Sequence, residues 1–220
     1  MELTLRVQEI YFLGKKLGGG HLNYQYIAAM PEIGQRRAVV EQECEDALER
    51  SGVAEENLMG EFTVSPAAKA FLHPLYFGDY ESELMMEDTA THETVHWMFH
   101  RERTAENTQW LAVKLKGETA HLTLLTADTE TQLRRWLQPG TGTGPEISDA
   151  EIATQIAQVL TLKSLALGEG TATVALYLLV NGCWYEQAEH KMNRPVPPTE
   201  FQRAVQDILQ GGENGWHTMI

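Results

Sequence analysis

Cysteine is scarce in this chain. Two occur in 220 residues, Cys44 and Cys183, far apart and outside any CxxC pair. That usage excludes a disulfide framework and fits a reducing cytosol. No local feature marks Cys183 as a nucleophile, so both thiols read as small buried hydrophobes. Long apolar runs are also missing. No window approaches 18 consecutive apolar residues, so nothing is expected to span a membrane. Met1 to Val7 alternates polar and apolar residues and lacks an apolar core behind a basic start, so no secretory leader is expected. Positive charge is short: 17 bases face 31 acids, for a net charge of -14. Nucleic acid and anionic membrane surfaces both need a basic face, and the balance argues against either as partner. There is no low-complexity segment and no repeat of 20–50 residues. GxSxG, a P-loop and a spaced carboxylate pair are absent.

What remains is ordinary globular material. The chain is 43% hydrophobic and 22% charged, enough for a real core in one large domain or two small ones. Thr4 to Leu17 reads as a helix carrying Leu5, Ile10, Leu13 and Leu17 on one face. Gly18-Gly19-Gly20 stops it, with no GK[ST] to make a phosphate loop. A second helix runs from about Gln35 to Arg50, with Val39, Cys44, Ala47 and Leu48 inward. Ser65-Pro66 supplies an N-cap and first-turn proline for a short helix over Ala67 to Leu72.

From about Asp79 the period becomes two. Gln109–Lys116 and Thr119–Thr126 alternate cleanly around Gly117-Glu118, a two-residue turn with glycine first, as type II′ wants. A meander over roughly 79–126 follows. Thr129-x-x-Gln132 caps a helix to Leu137, and Gln138 to Pro145 is the clearest linker. Ser148-x-x-Glu151 opens a helix expected to reach about Leu167, with Ile152, Ile156, Val159 and Leu160 inward. Thr171–Val180 is an apolar strand, Asn181-Gly182 a hairpin turn, and Cys183–Ala188 the returning strand. A last helix covers about Thr199 to Leu209, before a tail from Gly211. The expected fold is α+β: a central, mostly antiparallel sheet flanked by helices, in two quasi-similar halves. Residues 1–137 hold the first helices and the meander, 138–147 the linker, and 148–220 a helix–hairpin–helix half, packed as one domain.

His92-Glu93-Thr94-Val95-His96 is the segment with most chemical potential. On a helix, His92 and His96 stand one turn apart as zinc ligands, with Glu93 as general base. His100 lies one turn further on. On a strand, the same residues are part of a hairpin. Thr, Val, Trp, Phe and His favour the strand, as does the alternation of Val95, Trp97 and Phe99 with His96, Met98 and His100. A zincin also needs a third ligand on a following helix, where this chain continues into strands with only His100 or Glu118 to offer. The strand reading leads. It places His92, Thr94, His96, Met98 and His100 on one semi-polar face that could serve for binding. Acids cluster at Glu41, Glu43, Glu45, Asp46 and Glu49, and at Glu55, Glu56 and Glu61; this is read as a solvated face, with docking of a basic partner as the alternative.

Three stretches carry a family resemblance. They are Ala47-Leu48-Glu49-Arg50-Ser51-Gly52-Val53, Glu61-Phe62-Thr63-Val64-Ser65-Pro66-Ala67-Ala68, and Phe71-Leu72-His73-Pro74-Leu75. Together with the order of elements, they resemble the EspG-like proteins of type VII (ESX) secretion. The resemblance implies a cytoplasmic, non-enzymatic chaperone or accessory factor that holds a helical, hairpin-like secreted protein. It implies no cofactor and no catalytic residue, and by order alone it points to the loop Glu102–Asn107 for partner contacts. The alternative is a zinc-dependent metallopeptidase built on His92, His96 and Glu93.

Overall fold

The computed structural model describes residues 1–19, 22–32, 36–125, 131, 137, 140–167, 171–187 and 192–210. The expected Thr129–Leu137 helix, the start of the linker and the tail from Gly211 lie outside them, apart from isolated residues. In chain order the elements are β1 (Glu2–Arg6), α1 (Val7–Leu17), α2 (Tyr24–Ala28), α3 (Arg37–Arg50), β2 (Ala54–Glu56), β3 (Phe62–Val64), α4 (Pro66–Phe77), β4 (Tyr80–Asp88), β5 (Thr94–Arg103), β6 (Thr108–Lys116) and β7 (Thr119–Leu124). There follow β8 (Ile147–Ser148), α5 (Asp149–Gln155), β9 (Ile156–Ala166), β10 (Thr171–Val180), β11 (Cys183–Glu186), β12 (Met192–Asn193) and α6 (Pro198–Gln210). Eight strands form one sheet in the order β1-β7-β6-β5-β4-β9-β10-β11, and helices accompany it, an α+β fold. Among the described residues no helix is long and apolar enough to cross a membrane. Residues 1–79 and 100–124 form one compact unit, and 80–99 with 125–220 a second.

The first unit begins with a correction. Residues 2–6 are a strand, not the start of a helix, and pair antiparallel with β7 from Glu2 opposite Thr123 to Arg6 opposite Thr119. Their two-residue alternation buries Leu5. The helix starts only at Val7, where the Glu9 carboxylate accepts from the Arg6 backbone N–H at 2.8 Å and from Arg6 Nε at 2.7 Å. Helix α1 then buries Val7, Ile10, Phe12 and Leu13. Tyr76 of α4 donates its hydroxyl to the Ile10 carbonyl at 2.7 Å, and burial pushes that phenol far above its ordinary pKa. In α3, Cys44 and Leu48 face inward as expected, but Val39 is exposed.

The β6–β7 turn forms where the sequence places it. Gly117 has φ 57°, and the strands on either side pair in register, with Val113 opposite Leu122. In the second unit, Asn181 and Gly182 have φ of 50° and 79°, the paired left-handed geometry of a type I′ turn. The second correction lies upstream. Ser148 and Glu151 form their capping box, but the helix ends at Gln155 and Ile156–Ala166 is a strand. The i, i+4 spacing of Ile152, Ile156 and Leu160 suggested one long helix. Strand β9 instead lies between β4 and β10, hydrogen-bonded on both sides, and buries Leu160 and Leu162 two residues apart. Helix α6 covers this unit through Phe201, whose ring stacks on Trp184 at 5.0 Å and meets Tyr177 edge-on at 5.4 Å. The glycine-rich segment is tied to β11: Thr141 N–H donates to the Gly182 carbonyl at 2.9 Å, and Tyr185 Oη to the Pro145 carbonyl at 3.1 Å.

Candidate functional site

The His92–His96 segment is a turn followed by a strand. Asp88 builds the turn, accepting from the N–H groups of Ala90 and Thr91 at 3.0 and 2.9 Å, while its own carbonyl accepts from His92 N–H at 2.8 Å. The bonds to its carboxylate hold the Asp88 pKa below its usual range. His92 sits in the turn with φ 56°, exposed, its Nδ1 3.4 Å from Glu87 Oε1. Glu93 follows, also exposed, and β5 begins at Thr94. The one-turn helical spacing that the zinc reading requires is therefore not formed. Among the described residues, no three His, Cys, Asp or Glu side chains converge as a metal site needs.

The face holding His96, Met98 and His100 is buried, which corrects its reading as a binding surface. His96 turns to Glu83 on β4, with Nε2 2.9 Å from Oε1. Lys163 of β9, directly across from Glu83, sends Nζ to within 3.4 Å of Oε2. Burial alone would raise the Glu83 pKa; the close approach of His96, joined by Lys163, outweighs it and holds the carboxyl below its ordinary value. His100 is fully inside the first unit. Its Nε2 lies 2.8 Å from the Tyr26 hydroxyl, with the two rings stacked at 5.9 Å. The histidines of this stretch are thus one turn residue and two members of separate buried polar pairs.

The β5–β6 hairpin tip, at the other end of β5 from the exposed His92 turn, is also exposed. Residues 103–108 are all exposed. The tip is nonetheless ordered: Thr104 N–H donates to the Asn107 carbonyl at 2.8 Å, and Asn107 N–H returns a bond to Thr104 Oγ1 at 3.0 Å. Its root is clamped to α4. Arg101 grips Asp79 with Nη2–Oδ2 at 2.6 Å and Nε–Oδ1 at 3.3 Å, and its guanidinium lies over Trp110 at 5.7 Å. His73 Nδ1 stands 2.8 Å from Glu102 Oε1. Asp79 N–H donates to the Arg101 carbonyl at 2.9 Å. Only glycine fits before it, because a Cβ on Gly78 would press into the carbonyl oxygens of Pro74 and Arg101.

Helix α4 also runs further than its sequence suggests. Pro74 lacks the N–H that would bond to the Ala70 carbonyl, the usual reason to end a helix there. Gln109 of β6 donates its side-chain amide to that carbonyl at 3.3 Å, and the helix continues to Phe77. His73, Asp79, Arg101 and Gln109 carry this clamp, and sequence reasoning missed all four. The signal available was Pro74 inside an apolar helical stretch, which needs an outside donor.

A large antiparallel sheet, flanked by helices and extended into an ordered, exposed hairpin, defines an α+β scaffold that presents a loop. Among solved structures, the chain is similar to the type VII secretion system chaperone EspG5 of Mycobacterium tuberculosis, determined in complex with a PE25–PPE41 dimer. The TM-score is 0.62 at 12% sequence identity, and each chain is covered over 100% of its length. The EspG-like resemblance of the sequence is therefore shown as a likeness of fold. No protein-family model matches the chain. No curated protein matches it by sequence.

Proposed function

We propose that this protein is a cytoplasmic, non-enzymatic chaperone of type VII secretion that holds a helical, hairpin-like secreted protein before export. The observation that carries the reading is the full-length fold likeness to EspG5, a chaperone solved with a protein dimer bound. The ordered, exposed β5–β6 tip supports it, since a pre-formed loop binds with little further loss of conformational entropy. The tip Thr104-Ala105-Glu106-Asn107 is the contact point on this reading, with the α4 clamp fixing its direction.

Co-expression with helical secreted proteins encoded beside it tests the idea. A stable complex with one of them is expected on size exclusion. Ala105→Arg with Glu106→Arg should release the partner while leaving the thermal melt unchanged. Failure to retain any such neighbour-encoded protein would sink the reading.

A further inference from the structure

We propose that Leu58 and Met59, at the tip of the β2–β3 hairpin, dock into the apolar pocket between α1 and α3 of a second copy of this chain. Leu58 and Met59 are 109% and 86% exposed, the most exposed large apolar side chains among the described residues. Hairpin tips are ordinarily polar or glycine-rich, and two adjacent large hydrophobes held in water mark a contact site.

The loop that presents them is pre-built by Asn57. Its Oδ1 accepts from Met59 N–H at 2.8 Å and from Glu61 N–H at 3.0 Å, and its Nδ2 donates to Glu61 Oε2 at 2.9 Å. Backbone bonds from Asn57 N–H to the Glu61 carbonyl and from Gly60 N–H to the Asn57 carbonyl, both 2.9 Å, close the turn. A knob fixed in this way loses little conformational entropy when it inserts into a partner.

A matching receptor lies in the same unit. A pocket of about 210 Å³ is walled by Tyr11, Phe12, Met30 and Val40. An apolar cavity of ~150 Å³ already admits a benzene-sized group, so one leucine or methionine side chain fits here. Lys15 and Arg37 stand at its mouth, 38% and 68% exposed, with Glu41 between them at 3.9 and 3.0 Å. The mouth is net basic. The knob is flanked by Glu55, Glu56 and Glu61, and residues 51–68 contain no Lys or Arg. The acids of the knob would therefore face a mouth with one net positive charge, on a helix that also carries Glu43, Glu45, Asp46 and Glu49. The same acids argue against an anionic bilayer as the occupant.

Knob and pocket are also neighbours. Phe12, a pocket wall, meets Phe62 at the hairpin root edge-on at 5.4 Å. Adjacent complementary features on one chain allow a closed two-fold dimer in which each copy gives a knob and receives one. The net charge of -14 opposes association at a distance. That repulsion fades beyond about 8 Å in physiological salt, so the local match governs close contact and the dimer is weak. Neither the knob nor the pocket depends on the chaperone reading.

Sedimentation equilibrium of the untagged full chain over a concentration series tests it. A reversible monomer–dimer equilibrium in the micromolar range is expected. L58D/M59D should stay monomeric at every concentration with an unchanged melt. Mixing Leu58→Cys chains with Met30→Cys chains under mild oxidation should give a disulfide joining positions 58 and 30, located by peptide mass. A wild type that stays monomeric throughout overturns the proposal, as does a dimer that survives L58D/M59D. So does a monomeric wild type whose secreted partner is lost in L58D/M59D, since the knob then serves that partner.

Discussion

At the residue scale, Glu83 shows how position decides chemistry. It is a buried carboxylate on a central strand, and His96 and Lys163 meet it from both neighbouring strands. Its folded pKa lies below the ordinary value of about 4.3, so in acid the unfolded chain binds more protons than the folded one. The stabilisation is present above that ordinary value and is lost as pH falls through the lower folded one. Glu83→Gln should cost about 1–3 kcal/mol near neutral pH and flatten the acid limb of stability, read from urea midpoints across pH. Cys44 is a second case. Burial pushes its thiol up to about 11, so the native chain should react slowly with a thiol reagent at neutral pH and quickly once unfolded in urea. The zinc motif belongs to this scale too. His92 and His96 were legible as residues, but not the Asp88-built turn that parts them.

At the scale of elements, turns read well and helix ends read poorly. Gly117 and Asn181-Gly182 dictate their hairpins through backbone preference alone, which needs no partner. Helix α4 depends on a partner 39 residues away in sequence, Gln109 on Ala70, so its length was not written locally. Gln109→Ala should therefore destabilise by about 0.5–1.5 kcal/mol and increase amide exchange after Pro74. In a Pro74→Ala background, which restores the helix's own N–H, the cost of Gln109→Ala should shrink; a double-mutant cycle in urea measures it. An undiminished cost would mean that Gln109 acts elsewhere. β9 failed for a related reason: its apolar spacing satisfies both a helix and a strand, and flanking strands chose.

At the scale of the whole molecule, the acidic excess is the plainest property. With -14 spread over 220 residues, self-repulsion opposes compaction at low ionic strength. Raising salt from a few millimolar to about 0.15 M should raise the urea midpoint, and a fall would show that the attractive pairs dominate. The element order that prompted the EspG-like resemblance is also a whole-chain feature, and the likeness of fold to EspG5 covers both chains at 12% identity, since order and patterning set a fold more than individual residues do.

The sequence by itself determined the charge balance, the meander from Asp79 onward, both two-residue turns and the preference of the His92–His96 segment for strand over helix. These follow from composition, period and local backbone conformation. Only the tertiary structure decided that residues 2–6 and 156–166 become strands, that the His96–His100 face turns inward, and that Arg101, Asp79, His73 and Gln109 meet at one hairpin root. Those outcomes depend on hydrogen-bond partners and burial supplied by distant segments, and no local window of sequence contains them.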